Sequence, residues 1–384
     1  MSKNKKLVPK RRFKEFQNSD AWEQRELGEV VQITMGQSPL GSNYTENPSD
    51  YILVQGNADM KNGKVFPRIW TTQVTKTAEP DDIILSVRAP VGDVGKTNYN
   101  VVLGRGVAGI KGNEFIYQLL SKMKSDSYWG KYSTGSTFDS INSNDLKEAN
   151  ICIPSTNEQV QIGSFFRNLD QTIAFQQRKL EKMKAMKSAY LSEMFPAEGE
   201  RKPKRRFPGF TDDWEQCELG NVADRFDNFR IPITAKDRTL GNTPYYGANG
   251  IQDYVEGFTH DGEFVLLAED GANDLANYPV QYVNGKIWVN NHAHVIAGKT
   301  DVLDNKFLMN TLKKINIEPY LVGGGRAKLN SDVMMRLSLK ITSIDEQIKI
   351  GEFFSNLDQT IAFQQQKLEK LQNIKKAYLN EMFI

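Results

Sequence analysis

The decamer NLDQTIAFQQ occupies Asn168–Gln177, and the same ten letters return at Asn356–Gln365. Extending the match outward aligns residues 157–195 with residues 345–383, and 27 of the 39 aligned positions are identical. Identity of this extent at a fixed spacing is the sequence signature of an internal repeat. The chain therefore carries one structural segment twice.

A second pair of matches shows that the duplication extends beyond this segment. KRRFKEF starts at Lys10 and KRRFPGF at Lys204, while WEQRELG starts at Trp22 and WEQCELG at Trp214. Each copy thus consists of a basic and aromatic segment, a variable block and the repeated segment. The variable blocks, residues 29–154 and 221–342, have little sequence in common. The chain is a duplication whose two blocks have diverged.

Apolar residues in the repeated segment step by four and three, which is the heptad spacing of a coiled-coil helix. The predicted seam positions are Ile162, Phe166, Leu169, Ile173, Gln176, Leu180, Met183, Lys187, Tyr190 and Met194, and in the second copy Ile350, Phe354, Leu357, Ile361, Gln364, Leu368, Leu371, Lys375, Tyr378 and Met382. A Ser-x-x-Glu pattern, Ser155 with Glu158 and Ser343 with Glu346, predicts a capping box at each helix start. Each helix of about 39 residues would be roughly 58 Å long.

The linker between the copies predicts the direction of the two helices. A charged stretch, PAEGERKPKRRFPGFTDDWEQCELG, separates the first helix from the second block, so this block must begin near that helix's C-terminal end. The second helix then starts there and runs back, which makes the pair antiparallel with a pseudo-twofold axis. The KRRFKEF segment is expected near the C-terminal end of the second helix. Gln176 and Gln364, in the middle of the seam, either face each other and fix the register or are tolerated in a partly open seam.

Composition limits the class of protein. The formal net charge is +2, from 49 Lys and Arg against 47 Asp and Glu, so any surface for nucleic acid must be local. Cys152 and Cys217 form no C-x-x-C pair, which argues against a disulfide framework and favours a reducing, cytoplasmic setting. No run of about 18 apolar residues predicts a membrane helix.

Patterns for catalysis are incomplete. GRGVAG at residues 104–109 satisfies G-x-G-x-x-G, but no helix and no βαβ unit are predicted after it, so a nucleotide site is not expected. His292 and His294 form an H-x-H pair without a nearby cysteine, which favours ordinary polar contacts over a metal site. We expect no catalytic residue, no metal site and no cofactor bound by this chain.

The variable blocks mix β-rich runs such as DIILSVRAPVGDVG and KIWVNNHAHVIAG with short helical runs such as EFIYQLLSKM and NKFLMNTLKKI. Each block therefore reads as a compact α+β domain. The stretch INSNDLKEANICIPSTNEQ aligns with LNSDVMMRLSLKITSIDEQ at the end of each block. We expect the two blocks to share a fold.

Several motifs together resemble the specificity (S) subunit of type I restriction-modification systems over both halves of the chain. They are EQ-x-x-IG-x-FF-x-NLDQTIAFQQ-x-KLEK, AYL-x-EMF, WEQ-x-ELG, YYGANGI at Tyr245 and STFDSINSNDLK at Ser136. The resemblance implies an α+β fold of two globular target recognition domains joined by two long antiparallel coiled-coil helices, with pseudo-twofold internal duplication. The expected segments are residues 1–154 for the first domain with its basic N-terminal segment, 155–196 for the first spacer helix, 197–342 for the linker and second domain, and 343–384 for the second spacer helix.

The resemblance also implies a role. Each domain would read one half of a split sequence in double-stranded DNA, and the helices would set the unread gap, close to one helical turn of about 34 Å. Two modification subunits, with S-adenosylmethionine, would dock on the helices and flanking segments. Two restriction subunits would add ATP- and Mg-dependent translocation and cleavage in phage defence, while this chain itself would not be an enzyme.

Base reading requires Arg, Asn, Gln or Lys side chains on loops that face a groove. The candidate DNA-binding residues of the first block are Gln37, Ser38, Tyr44, Arg88, Lys96, Arg105, Ser133, Ser136 and Thr137, and those of the second block are Asn228, Arg230, Tyr245, Tyr246, Asn249, Asn273, His292, Arg326 and Lys328. The glycines before Arg326 would let the backbone approach phosphate closely.

Two other functions fit the same pattern. A coiled-coil adaptor with two protein-binding heads would share this architecture and would need no DNA. A specificity subunit of a type IIB or IIG system would pair with one partner that both methylates and cleaves. The recognised DNA letters, the gap length and the presence of an active restriction subunit do not follow from the sequence.

Overall fold

The computed structural model of the chain describes residues 7–132, 140–324 and 327–384. The chain folds into two compact units, unit 1 from residues 1–177 with 367–384 and unit 2 from residues 178–366. Each unit combines one globular α+β domain with part of both long helices. The predicted limits at residues 154, 196 and 342 divide the chain into consecutive segments, whereas unit 1 combines stretches that are far apart in sequence. Those limits stay a prediction.

The first domain of unit 1 is built on two mixed sheets and a helix packed against one of them. Its strands are β1 (Glu23–Glu26), β2 (Gln32–Met35), β3 (Tyr44–Thr45), β4 (Tyr51–Val54), β5 (Met60–Lys61), β6 (Lys64–Val65), β7 (Trp70–Thr71), β8 (Lys76–Ala78), β9 (Ile83–Ser86), β10 (Val94–Lys96), β11 (Val101–Leu103), β12 (Val107–Lys111) and β13 (Asn150–Ile153). Its helices are α1 (Leu27–Val30), α2 (Glu114–Ser125) and α3 (Ser143–Lys147), and the long helix α4 (Thr156–Glu193) follows. The strand orders are β2-β12-β9-β10-β6-β5, β3-β7-β4-β11-β8 and β1-β13.

The second domain, in unit 2, is built on one 6-stranded sheet and a 2-stranded sheet. Its strands are β14 (Glu215–Glu218), β15 (Ala223–Arg225), β16 (Leu240–Gly247), β17 (Gly250–Val255), β18 (His260–Ala268), β19 (Val280–Val289), β20 (Ala293–Gly298) and β21 (Ser338–Ile341). Its helices are α5 (Leu219–Val222), α6 (Asn305–Lys314) and α7 (Ser331–Met335), and the long helix α8 (Ile344–Met382) follows. The strand orders are β15-β20-β18-β19-β16-β17 and β14-β21.

The two domains share a framework, as the sequence predicted. Strand β12 lies between β2 and β9 in the first domain, and β20 lies between β15 and β18 in the second. Helices α2 and α6 have matching N-caps, in which Asn113 and Asp304 accept a hydrogen bond from the backbone N–H of Ile116 and Phe307. Such caps satisfy donors that a helix start leaves unpaired. The fold has therefore been kept in both copies.

Each core forms where α2 or α6 covers its sheet. In the first domain Phe115 and Leu119 of α2 are buried with Ile83 and Leu85 of β9. Their spacing of four places both aromatic and aliphatic side chains on one face of the helix. Helix α6 buries Phe307 in the same way in the second domain.

The long helices run antiparallel to each other within each unit. In unit 1 the rings of Phe165 and Tyr378 lie 5.2 Å apart, and Asp170 pairs with Lys375 at 2.6 Å. Contacts closer to the C-terminus of α4 are thus made by residues closer to the N-terminus of α8. In unit 2 Tyr190 lies 5.2 Å from Phe353 and Lys187 pairs with Asp358, which repeats the same pattern. The predicted direction is confirmed.

The heptad seam is also confirmed, because its positions are buried or half-buried in both helices. Gln176 and Gln364 are buried, and their Oε1 atoms accept no hydrogen bond from any residue that the structure describes. A buried amide oxygen without a hydrogen-bond partner lowers stability. Whether the two glutamines face each other stays a prediction.

An arginine holds the start of each long helix, and the predicted capping boxes stay a prediction. Arg12 donates from Nε and Nη2 to the two oxygens of Glu158 at 2.7 and 2.6 Å. Arg206 makes the same forked contact with Glu346, at 2.7 Å for each bond. Ser-x-x-Glu is a local pattern and gives no sign of these arginine partners, which lie more than a hundred residues away in sequence.

The N-terminal segment packs beside the C-terminal end of α8 in unit 1, as predicted. The backbone N–H of Arg11 donates to the carbonyl oxygen of Glu381 at 2.8 Å, and the two side chains form an ion pair. Trp22 packs edge-on against Phe383, with centroids 6.3 Å apart. Together these contacts join the two sequence ends of unit 1.

Candidate nucleic-acid interface

A short turn, Gly104–Arg105–Gly106, projects from the first domain where β11 passes into β12. Main-chain bonds hold both of its ends: Gly104 N–H donates to Val54 O at 2.8 Å, and Val87 N–H donates to Gly106 O at 2.9 Å. Arg105 lies exposed at the tip between them. The turn thus presents one cationic side chain from a rigid base.

Glycines allow the neighbouring backbones to approach this turn closely. A Cβ at Gly106 would lie 2.0 Å from Gln55 O, and one at Gly36 would lie 2.1 Å from Gly104 O. Real Cβ atoms do not come this near to backbone oxygen, so larger residues would force the loops apart. The last glycine of GRGVAG lies in β12 and opens no helix, as the sequence analysis anticipated.

Three candidate residues meet at this turn. Ser38 Oγ accepts a hydrogen bond of 3.1 Å from the backbone N–H of Arg105, and Gln37 N–H donates to Leu103 O at 2.8 Å. Gln37 is exposed and Ser38 half-buried beside it. These residues were predicted from separate stretches of the sequence, and the structure places them side by side at this turn.

Arg88 lies on the next loop of the same edge. It is exposed, and its backbone forms a β-bridge with Ser140. Neither Arg88 nor Arg105 has a carboxylate partner among the residues that the structure describes, whereas most other arginines there are ion-paired. Two arginines free to bind an anion therefore stand on one edge of the first domain.

Two other candidates of the first domain lie elsewhere. Tyr44 is exposed on β3 of the second sheet. Lys96 points into the domain and pairs with Glu114 at 2.8 Å, with its ammonium 5.4 Å from the ring of Tyr117. Burial pushes the pKa of Glu114 up, but hydrogen bonds from Lys96, Gln118 and Arg167 outweigh it and the pKa is lowered. Lys96 is thus engaged within the domain, and we withdraw it as a DNA contact. Ser133, Ser136 and Thr137 lie outside the described residues.

The second domain has the matching turn at Asn290–Asn291–His292, between β19 and β20. Asn290 N–H donates to Tyr246 O at 3.0 Å, and Glu269 N–H donates to His292 O at 2.9 Å. Asn291 is exposed at the tip. This residue was missed by the sequence analysis, because only the strand register identifies the turn.

Two asparagines extend this edge. Asn249 Nδ2 donates to Gly271 O at 2.9 Å, and Asn249 Oδ1 accepts a bond of the same length from the backbone N–H of Asn273. Both residues are exposed, as is Asn228 on the loop after β15. These three predicted residues thus lie on accessible loops of the second domain.

An ionic cluster lies beneath the loops of the second domain. Arg230 Nη1 lies 2.6 Å from Glu269, Lys328 Nζ lies 2.8 Å from the other oxygen of Glu269, and buried His294 Nδ1 lies 2.7 Å from Asp227. Burial raises the pKa of Asp227, but the hydrogen bond and charge of His294, the N–H of Val295 and the charge of Arg230 overcome it and the pKa is lowered. The cluster therefore ties three loops and strand β20 together by charge.

This cluster also contains a group with the composition of a metal site. One ligand atom each from Asp227, Glu269 and His294 lies within 4.8 Å of the others. The guanidinium of Arg230, 2.6 Å from Glu269 and 3.6 Å from Asp227, already supplies the positive charge there. A cation next to that guanidinium would be repelled, so the group fits an ion-pair network better than a metal centre.

The remaining candidates of the second domain are less accessible. Tyr245 is only 1% exposed, and its hydroxyl donates to Ile233 O at 3.2 Å, so we reassign it from DNA contact to core. Tyr246 is half-buried, and burial raises its pKa. His292 bonds to Asp270 at 2.5 Å. Arg326 lies outside the described residues.

Exposed aromatic residues also lie on the long helices, one in each unit. Phe175 is 58% exposed and Phe363 is 62% exposed, and they occupy the same position of the two repeats. Val160 and Ile348, another equivalent pair, are exposed as well. Large exposed apolar side chains in a repeating position are typical of a protein-binding surface.

Among the described residues, no helix combines the length and the apolar character that spanning a bilayer requires.

Comparison with protein families gives a match over most of the chain. The model described as "Type I restriction modification DNA specificity domain" matches residues 19–185 and again residues 211–373. The two matches coincide with the two copies of the duplication.

Individual relatives agree with this family. A Haemophilus influenzae protein that bears the name of a type I restriction enzyme specificity subunit is 48% identical over 139 residues, which is 36% of each chain. The chain thus matches about a third of that relative's length. The crystal structure of the type I restriction-modification S subunit from M. genitalium is 17% identical, with a TM-score of 0.73, 98% of this chain covered and 99% of that one. A structure from work on complex assembly and conformational transition of the type I R-M system has 16% identity, a TM-score of 0.50, and 94% and 97% covered.

Proposed function

This chain belongs to the family of type I restriction-modification DNA specificity proteins, and from that premise we propose that it is the DNA-reading subunit of such a system. The observation that supports this role most directly is that both domains present exposed loop residues around a matching turn, Gly104–Gly106 in the first domain and Asn290–His292 in the second. In the first domain this edge carries Arg88 and Arg105 without carboxylate partners among the described residues. Free cationic and amide side chains on rigid loops are what contacts to phosphates and base edges require.

Each domain reads one half of a bipartite target. The loops of the two domains carry different side chains on the same main-chain framework, so the two half-sites differ in sequence. Arginine binds the O6 and N7 atoms of guanine with two hydrogen bonds, and asparagine does the same with N6 and N7 of adenine. Other positive side chains on these loops contact phosphates and set the orientation of the protein on the duplex. We also propose a cytoplasmic location, because such a system acts on DNA inside the cell.

The long helices carry the partner subunits. Their seam faces are used within each unit, while Phe175 and Phe363 remain exposed at equivalent positions. Two equivalent surfaces suit two copies of one partner, which in this family is a modification subunit. S-adenosylmethionine binds that partner, and ATP and Mg bind the restriction subunits, of which two complete the complex. This chain contributes recognition and no catalytic group.

The proposal is tested with the chain purified together with the modification subunit of its own system. The complex should methylate duplex DNA at adenines within a two-part motif, and mapping methylated adenines in cellular DNA identifies both halves at once. Duplexes that carry one half, or both halves at an altered gap, should be bound far more weakly. A complex that shows no preference among duplexes would contradict a DNA-reading role and would favour a protein adaptor. Methylation and cleavage by a single partner subunit would assign the chain to a type IIB or IIG system.

A further inference from the structure

The main-chain hydrogen bonds of the two domains allow a position-by-position comparison that their sequences do not. Gly104 N–H donates to Val54 O in the first domain, and Asn290 N–H donates to Tyr246 O in the second. In each case the acceptor lies on a strand that runs parallel to the strand directly before the donor, β4 beside β11 and β16 beside β19. These two bonds make Gly104 and Asn290 equivalent.

Two further bonds extend the equivalence on the other side of the turn. Val87 N–H donates to Gly106 O at 2.9 Å, and Glu269 N–H donates to His292 O at the same distance. Val87 O in turn accepts a hydrogen bond from Ile141 N–H at 2.9 Å, and Glu269 O accepts one from Leu329 N–H at 2.7 Å. The register thus matches on both sides of each turn, and one residue lies between the matched ends.

We infer that Arg105 and Asn291, which occupy this one equivalent position, are specificity-determining residues for the two half-sites. Both are exposed. Neither side chain forms a hydrogen bond or ion pair within the described part of the chain, so neither is needed to hold its turn. The inference deepens the proposed function and rests on it.

The chemistry of the two side chains assigns a base to each. The guanidinium of Arg105 matches the two acceptors of guanine in the major groove, and the carboxamide of Asn291 matches the acceptor and donor of adenine. A glutamine or lysine at the same position of the turn would also be able to bind base edges in the major groove. The first domain therefore reads a guanine at this position of its half-site, and the second domain reads an adenine at the corresponding position.

The geometry explains why the main chain can present such different residues. Close packing at the first turn is made by Gly36 and Gly106, whose absent side chains would collide with backbone oxygen. In the second domain Asn290 Oδ1 accepts the backbone N–H of His292 at 2.8 Å and closes the turn from within. The tip is shaped by atoms other than its own side chain in both cases.

The test exchanges the two side chains. The chain, purified with its modification subunit, is incubated with a pool of randomised duplexes, and the bound fraction is sequenced for wild type, Arg105→Asn and Asn291→Arg. Wild type should enrich a two-part motif. Arg105→Asn should reduce preference for one guanine in one half by about 5- to 150-fold, the range of one good bidentate contact, and leave the other half unchanged. Asn291→Arg should change one adenine position in the other half alone.

Arg336→Asn is the matched control, since Arg336 is exposed at the end of α7 and belongs to neither turn, and it should keep both halves of the motif. A wild-type chain that enriches a two-part motif, together with variants that keep every letter of it, would overturn this inference alone. Uniform weakening by Arg105→Asn, with the motif intact, would also overturn it, because it would identify a phosphate contact. A wild-type complex that enriches no sequence would overturn the proposed function as well.

Discussion

The forked ion pair between Arg12 and Glu158 should be one of the most sensitive points of unit 1. The Arg12 side chain is 6% exposed and that of Glu158 is 0% exposed. Arg12→Met removes the cation and leaves the carboxylate buried without its partner. Breaking a buried pair in this way typically costs about 3 kcal/mol or more, because the desolvated charge is no longer compensated.

The measurement is equilibrium urea unfolding, combined with hydrogen exchange to locate the loss of protection. Arg12→Met should reduce the free energy of unfolding by about 3 kcal/mol, with faster exchange in the N-terminal segment and at the start of α4. The double variant Arg12→Met with Glu158→Met should recover most of this loss, since replacing both charges by apolar groups is often nearly neutral.

Arg25→Met is the matched control. Arg25 pairs with Glu29 at 2.9 Å, but both side chains are about half exposed, so water screens the pair and the urea midpoint should not change measurably. Equal effects of Arg12→Met and Arg25→Met would refute the reasoning, since burial would then have no influence. A double variant as unstable as the single one would refute the idea that the unpaired charge is the cause.

Three further outcomes are expected. Gly106→Ala should weaken binding to one half-site and lower stability, because the new Cβ would lie 2.0 Å from a backbone oxygen, whereas Gly41→Ala, with nothing within 4 Å, should do neither in the same filter-binding and melting assays. Phe175→Ser combined with Phe363→Ser should abolish co-purification of the modification subunit while the circular dichroism spectrum stays that of wild type. Asp227 has a lowered pKa, so the stability it adds is fully present above its ordinary value of 3.8 and is lost as the pH falls through its lower value in the folded protein. Asp227→Asn should therefore lower the urea midpoint at pH 7, and by a smaller amount as the pH is brought below 3.8.

Repeats and heptads made the helices predictable, because both depend only on spacing along the chain. The antiparallel direction followed from a linker too short to allow the other arrangement. The partners of Glu158 and Glu346 were missed, since a local capping pattern cannot be distinguished from a long-range ion pair without the fold.

The candidate site was predictable only in part. Loop residues such as Arg88 and Arg105 were identified because each lies in a short stretch with glycine or proline, which is typical of an exposed turn. Tyr245 and Lys96 were misplaced, because aromatic and basic residues in a strand point to either face and the sequence does not say which. Asn291 was overlooked because its role depends on strand register.

The side chain of Arg105, at the tip of the turn between β11 and β12, does not stabilise the turn, because backbone hydrogen bonds and neighbouring glycines set the path of the chain there. A gene encoding such a turn can acquire a different codon there at little cost to folding. With Arg105 as the reading residue that we infer, new DNA preferences would arise by single mutations in one half of the gene while the other half keeps its old preference, which is a useful freedom for a cell facing changing viral genomes.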